Sequence, residues 1–103
     1  MEIGIEWSAL AERQLKDIYE YYALNASTLV AMRIVSKILK RVDILYKNPF
    51  SGSKEELLKE YPEDFRYLVE SNYKIIYWHE NGLITIASVF DCRQNPDKIQ
   101  SLY

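Results

Sequence analysis

Few side chains in this sequence are equipped for chemistry. His79 is the single histidine and Cys92 the single cysteine among 103 residues. Histidine suits general-base work because its ordinary pKa lies near neutrality, but a base needs a partner within hydrogen-bond reach. No spacing supplies one for His79, just ahead of Asn81-Gly82, so a half-exposed strand residue is the simpler reading. Cys92 lacks an assigned base, and a buried, inert thiol is expected. One histidine, one cysteine and scattered carboxylates give no ligand spacing for a metal. The sequence has no glycine-rich phosphate loop and no nucleophile elbow. No metal and no small-molecule cofactor are therefore expected. Three cations remain: Arg66, Lys74 and Arg93, spread over the C-terminal part. A guanidinium is always charged and grips phosphate or carboxylate through two parallel hydrogen bonds. The same property lets Arg66 close a sheet by pairing with Asp91 or Glu70, so target binding and structure are equal readings for it.

Charge is distributed unevenly. The total is 13 Lys and Arg against 15 Asp and Glu, for a net charge of -2 and a pI near 5.4. That excludes a generic cationic nucleic-acid coat, which belongs to domains of pI above about 9. Yet Arg33, Lys37, Lys40, Arg41 and Lys47 face only Asp43 in one segment. Residues 55–64 carry Glu55, Glu56, Glu60, Glu63 and Asp64 against only Lys59. A basic helix face can hold an acidic partner or a phosphate backbone, and equally it can serve only solubility. Nine tyrosines add a further feature. Tyr19, Tyr21 and Tyr22 cannot all be buried by one helix face, and tyrosine favours protein interfaces.

The elements that must position these groups follow from periodicity. Residues 2–7 alternate, with Ile3, Ile5 and Trp7 on one side, which predicts a short half-buried strand. Ser8 can cap a helix over Ala9 to about Asn25, whose apolar face gathers Ala11, Leu15, Ile18 and Tyr22. Ser27 or Thr28 can cap a second helix from about Leu29 to Lys47, with Ala31, Val35, Ile38, Val42 and Leu45 on its apolar face. Asn48-Pro49 ends it, because the residue before proline is pushed out of the helical region. Three strands follow at 65–70, 73–80 and 83–90, separated by Ser71-Asn72 and Asn81-Gly82. Asn-Gly is a strong signal for a two-residue hairpin turn.

The predicted order is β-α-α-β-β-β, an α+β fold with a helical hairpin packed on a small, mainly antiparallel sheet. The N-terminal strand joins that sheet at an edge the pattern leaves open. Two-residue turns put Arg66 opposite Tyr77, Leu68 opposite Ile75, Tyr77 opposite Ile86 and Ile75 opposite Ser88. Both faces are rich in apolar groups, so either could lie under the helices. The Ala87-Ser88 pair is a candidate bulge that would switch the faces. A chain of this length is expected to make one domain, 1–103. The N-terminus MEIGIEW lacks a basic region followed by an apolar stretch, and no apolar run approaches ~18 residues. A cytoplasmic protein without a membrane span is expected.

These landmarks together resemble the RelE/ParE family of bacterial toxins from type II toxin–antitoxin (plasmid stabilisation) systems. They are the Ala11–Leu15–Ile18–Tyr22 helix, Leu45 followed by Asn48-Pro49 and Gly52, Arg66 ahead of the hairpin, YKIIY at 73–77 and VFDCRQNP at 89–96. The resemblance covers nearly the whole length and implies the same β-α-α-β-β-β fold. It implies a growth-inhibiting toxin neutralised by an antitoxin whose C-terminal segment wraps it. RelE-like members cut mRNA in the ribosomal A site, whereas ParE-like members poison DNA gyrase.

Carried over by residue, the resemblance implies target-binding roles for Arg66, Lys74 and Arg93. A ribonuclease would use Arg66, Lys74, Tyr77 and Arg93. Antitoxin contacts are expected at Tyr19, Tyr22, Arg33, Lys37 and Arg41. The chain departs from the RNA-cutting pattern in having Asp91 where histidine is frequent and Gln94 where a second cation is frequent. Its linker is acidic where those members are lysine-rich. Cutting mRNA requires neutralising several phosphates and an anionic transition state. Gyrase is therefore the favoured target, with the ribosome and mRNA as the alternative. A third reading is an inactive homologue that keeps only antitoxin binding.

Overall fold

The computed structural model describes residues 2–102, with side chains through Gln100. Strand β1 (Gly4–Trp7) leads into helix α1 (Ala9–Asn25) and helix α2 (Thr28–Asp43). A two-residue strand β2 (Ser53–Lys54) precedes β3 (Arg66–Glu70), β4 (Tyr73–Glu80) and β5 (Leu83–Asp91). The five strands form one sheet in the order β1-β5-β4-β3-β2. β1 runs parallel to β5 and every other pair is antiparallel. The expected α+β fold, a helical hairpin on a mainly antiparallel sheet, is thus observed. Parallel neighbours need a long crossover connection; here the helices and three strands all lie between β1 and β5 in the chain.

Helix starts follow the expected caps. Ser8 Oγ accepts the Ala11 N–H at 3.0 Å and donates to the Ala87 carbonyl at 2.9 Å, so one hydroxyl starts α1 and ties it to β5. Ser27 Oγ accepts the Val30 N–H at 3.1 Å and starts α2. The second helix ends sooner than the periodicity predicts. Beyond Asp43 it tightens into a 3-10 turn over Ile44–Tyr46, where the Lys47 and Asn48 N–H groups share the Ile44 carbonyl. The helix cannot pass Pro49, and its last carbonyls are satisfied by this tighter turn.

At the β4–β5 turn, Asn81 and Gly82 both take positive φ, 53° and 79°, as the type I′ turn requires. The register matches expectation for Arg66–Tyr77, Leu68–Ile75 and Tyr77–Ile86. It departs at Ile75, which faces Val89 and not Ser88. The cause is a bulge: Tyr77 pairs with Ile86 and Ile76 with Ser88, leaving Ala87 as the extra residue. The bulge reverses the alternation of β5. Ile84, Ile86 and Val89 join the core under the helices, while Ala87 and Phe90 turn to the other side. Gln14 of α1 occupies the irregularity, its Oε1 accepting the Val89 N–H at 2.8 Å and the Ser88 hydroxyl at 3.1 Å.

The helices cover the face that carries Leu68, Tyr73, Ile75, Tyr77, Ile84 and Ile86, packing Ala11, Ile18, Ile38, Val42 and Leu45 against it. The opposite face is also covered. Leu58, Phe65, Ile76, Ala87, Phe90 and Ile99 form a second cluster. Its lid consists of two short 3-10 segments, Glu56–Leu58 and Pro96–Leu102.

Candidate functional site

The three candidate cations of the strands lie on different parts of the molecule, each beside a carboxylate. Arg66 opens β3 on the helix side of the sheet. Its Nε donates to Asp64 Oδ2 at 3.0 Å, and its Nη1 donates to the carbonyls of Phe50 at 3.2 Å and Gly52 at 3.1 Å. The partner is Asp64, two residues earlier in the chain, not Asp91 or Glu70 as the sequence suggested. Lys74 emerges on the opposite face. Its ammonium lies 2.6 Å from Glu55 Oε2 and 4.1 Å from the centre of the Tyr67 ring. Glu55 is almost fully enclosed, with 3% of its side chain exposed. The acidic linker is therefore not a simple solvated run, since two of its carboxylates neutralise Arg66 and Lys74.

Arg93 lies past the end of β5. Its Nε and Nη2 donate to the two Asp91 carboxylate oxygens at 2.9 and 2.7 Å, and its backbone N–H reaches the same carboxylate at 2.9 Å. The guanidinium beside Asp91 holds its carboxyl below the usual carboxylate range. Of the three cations, Arg93 is the one with more than half its side chain exposed, at 54%. It borders an open cleft of about 340 Å³ between α1 and the end of the sheet, lined also by Gln14, Asp17, Tyr21 and Tyr73. At that edge the Tyr73 hydroxyl donates to the Tyr22 hydroxyl at 3.4 Å. Burial first, and that hydrogen bond second, push the Tyr73 phenol well above its ordinary value.

Tyr77 is fully buried beside Arg66, and its hydroxyl oxygen accepts the Gly52 N–H at 2.9 Å. Burial raises its phenol pKa, against the opposing effect of the Gly52 N–H and Arg66. Arg66 and Tyr77 are thus brought together, while Lys74 and Arg93 stand apart from them and from each other. Cys92 is exposed, contrary to the expected burial. Its backbone follows β5 into the terminal turn, held by the Asn72 carbonyl. Partial desolvation still pushes its thiol upward, which favours the protonated form. His79 lies at the end of β4 with its ring against Phe50, and its Nε2 is buried without a hydrogen-bond partner among the described residues.

The residues expected to contact an antitoxin lie on the hairpin. Arg33 and Lys37 are exposed, while Tyr19, Tyr22 and Arg41 are half-buried. Arg41 Nε donates to the Val69 carbonyl at 3.2 Å, which covers part of the outer edge of β3. Beside these charges runs an apolar surface that charge counting overlooks. Trp7, Leu15, Tyr19, Val35 and Leu39 line a groove of about 410 Å³. Leu29 and Met32 continue the exposed apolar surface of α2. The signal was present in the sequence as Leu29, Met32, Val35 and Leu39, spaced three, three and four apart.

The geometry defines an α+β protein with a broad apolar and basic helical surface. That fold is shared with a solved structure titled "Chromosomal ParDE TA system from P. aeruginosa", at a TM-score of 0.72 and 20% sequence identity over 86% of this chain and 95% of that one. No curated protein matches the sequence. Residues 5–96 match the family described as "ParE toxin of type II toxin-antitoxin system, parDE". The chain belongs to the ParE toxin family. No helix among the described residues is long and apolar enough to cross a membrane.

Proposed function

We propose that this toxin-family chain arrests growth by poisoning DNA gyrase and is neutralised by a cognate antitoxin. The observation that carries the choice of target is the separation of the cations. Arg66 and Lys74 lie on opposite sheet faces, each bound to a carboxylate, and Arg93 stands at a third place. Phosphoryl chemistry without a metal depends on convergent, preorganised positive charge. Tyr77, the fourth member of a ribonuclease set, is fully buried and engaged by Gly52. Recognition of a protein target needs no such convergence. Arg93 is the cation most open to a partner, so target-binding weight falls there.

The antitoxin segment fits the α1–α2 hairpin. An acidic segment with apolar anchors would fill the groove of Trp7, Leu15, Tyr19, Val35 and Leu39 and meet Arg33 and Lys37. Tyr22 and Arg41 lie on the same hairpin as further contacts.

The test is supercoiling by purified gyrase. The toxin should block it and accumulate cleaved DNA, the Arg93→Ala variant should be weaker, and ribosomes programmed with mRNA should show no codon-phased cuts. Unimpaired supercoiling at toxin excess would sink the gyrase reading. Codon-phased cuts would replace it with the ribonuclease.

A further inference from the structure

The loop between α2 and β2 is held more firmly than a surface connection requires. Arg66 binds the carbonyls of both Phe50 and Gly52. Tyr77 Oη accepts the Gly52 N–H, and Ser51 N–H closes a turn onto the Asn48 carbonyl at 3.1 Å. Gly52 has no room for a side chain, since a Cβ there would lie 2.6 Å from Tyr77 Oη and 2.7 Å from the Tyr67 carbonyl. All this holds in place a phenyl ring that stays 57% exposed. The Phe50 ring packs on His79 at 5.1 Å between centroids and under the Arg66 guanidinium at 5.3 Å.

A rigid, exposed aromatic braced by arginine has the composition of an interface hot spot, and its ordering cost is already met before binding. Beside it lies a hollow of about 320 Å³ lined by Pro62, Glu63, Asp64, Trp78, His79 and Glu80. His79 belongs to both features, so the ring and the hollow form one surface.

We propose that Phe50 and the adjoining acidic hollow are the anchor by which this toxin grips a basic protein surface on its target. Asp64 is held by Arg66, so Glu63 and Glu80 decide the partner's chemistry: they repel phosphate backbones and favour lysine or arginine next to an apolar pocket. An enzyme that handles DNA offers such a surface, because neutralising phosphates requires those residues. The inference rests on the reading of gyrase as target. Phe50 is not among the residues of the hairpin groove assigned above to the antitoxin.

The experiment uses the full chain with Phe50→Ala and, separately, the double variant Glu63→Lys with Glu80→Lys. Both are read by gyrase supercoiling, growth arrest on expression, antitoxin affinity and thermal melting. Phe50→Ala should raise the toxin concentration for half-inhibition of gyrase by roughly thirty-fold. The charge reversal should raise it by about tenfold. Antitoxin affinity and the melting temperature should stay near wild type. Wild-type potency in both variants overturns the anchor, and so does a parallel loss of antitoxin affinity, which would make this surface the antitoxin's seat. If Phe50→Ala melts far below wild type, the double variant decides in the same way. If the wild-type toxin arrests growth but spares purified gyrase, the gyrase reading fails and growth arrest decides: loss of arrest in the variants supports the anchor, and full arrest overturns it. A wild-type chain that arrests nothing overturns both readings.

Discussion

The two faces of the sheet are closed by different means. Under the helices, side chains repeat at regular steps along α1, α2 and the strands, and the core is continuous from Ala11 to Leu45 across Ile75 and Ile86. On the far face, short 3-10 segments supply Leu58 and Ile99, and an enclosed Lys74–Glu55 pair pins the linker. The difference teaches where a cation serves structure. Lys74 and Arg66 stand at positions that a functional reading would claim, yet each is held by a linker carboxylate. The acidic linker neutralises them on both faces, whereas Arg33, Lys37 and Lys40 of α2 stay exposed and Arg93, though paired with Asp91, keeps about half its side chain in solvent.

The sharpest way to break this comparison is a matched pair of truncations. Ile38 and Ile99 are both fully buried, one in each cluster. Ile38→Ala should cost about 4 kcal/mol, because packed helices collapse poorly around a cavity. Ile99→Ala should cost about 2 kcal/mol, because a short terminal segment can shift to fill the space or open locally. Denaturant unfolding measures both, and equal losses would show that the far face is as cooperative as the near one. Next in size is Lys74→Met. It leaves the Glu55 carboxylate enclosed without its partner and should cost about 3 kcal/mol, with faster hydrogen exchange in 56–58. A change below about 1 kcal/mol would mark Lys74 as dispensable to the fold.

The smallest effect concerns pH and the helix-side face. Tyr73 and Tyr77 both have phenols raised above their ordinary value. The unfolded chain therefore ionises first as pH rises. Their stabilisation is fully present below about 10 and is lost as pH climbs through that value toward the native ones. Thermal melts across that range should show a falling melting temperature, less steep in Tyr73→Phe. A slope unchanged by that substitution would remove Tyr73 from the account.

Local chemistry made much of the fold legible. Ser8 and Ser27 cap where their hydroxyls can meet free N–H groups, Pro49 stops a helix, and Asn81-Gly82 makes its turn because of their tolerance for positive φ. The pairing of Arg66 with Tyr77 follows by counting from those turns. Strand β2 and the terminal 3-10 segment Pro96–Leu102 were not legible, because segments this short carry no period to read. The outer apolar surface of α2 is carried by Leu29, Met32, Val35 and Leu39, beside the core face that the periodicity marks with Ala31, Ile38, Val42 and Leu45.

The sequence by itself determined the order of elements, the turns, the helix starts and the family pattern, because these depend on neighbours a few residues away. Which face the helices cover, and which cations remain open, were decided only by tertiary structure. The bulge at Ala87 turns Val89 inward, and Gln14 of α1 accepts its N–H there. Lys74 meets Glu55 only through folding of the linker, whereas Arg66 and Arg93 each pair with a carboxylate two residues earlier in the chain. Long-range pairing encloses Lys74 and Glu55, and no local spacing encodes it.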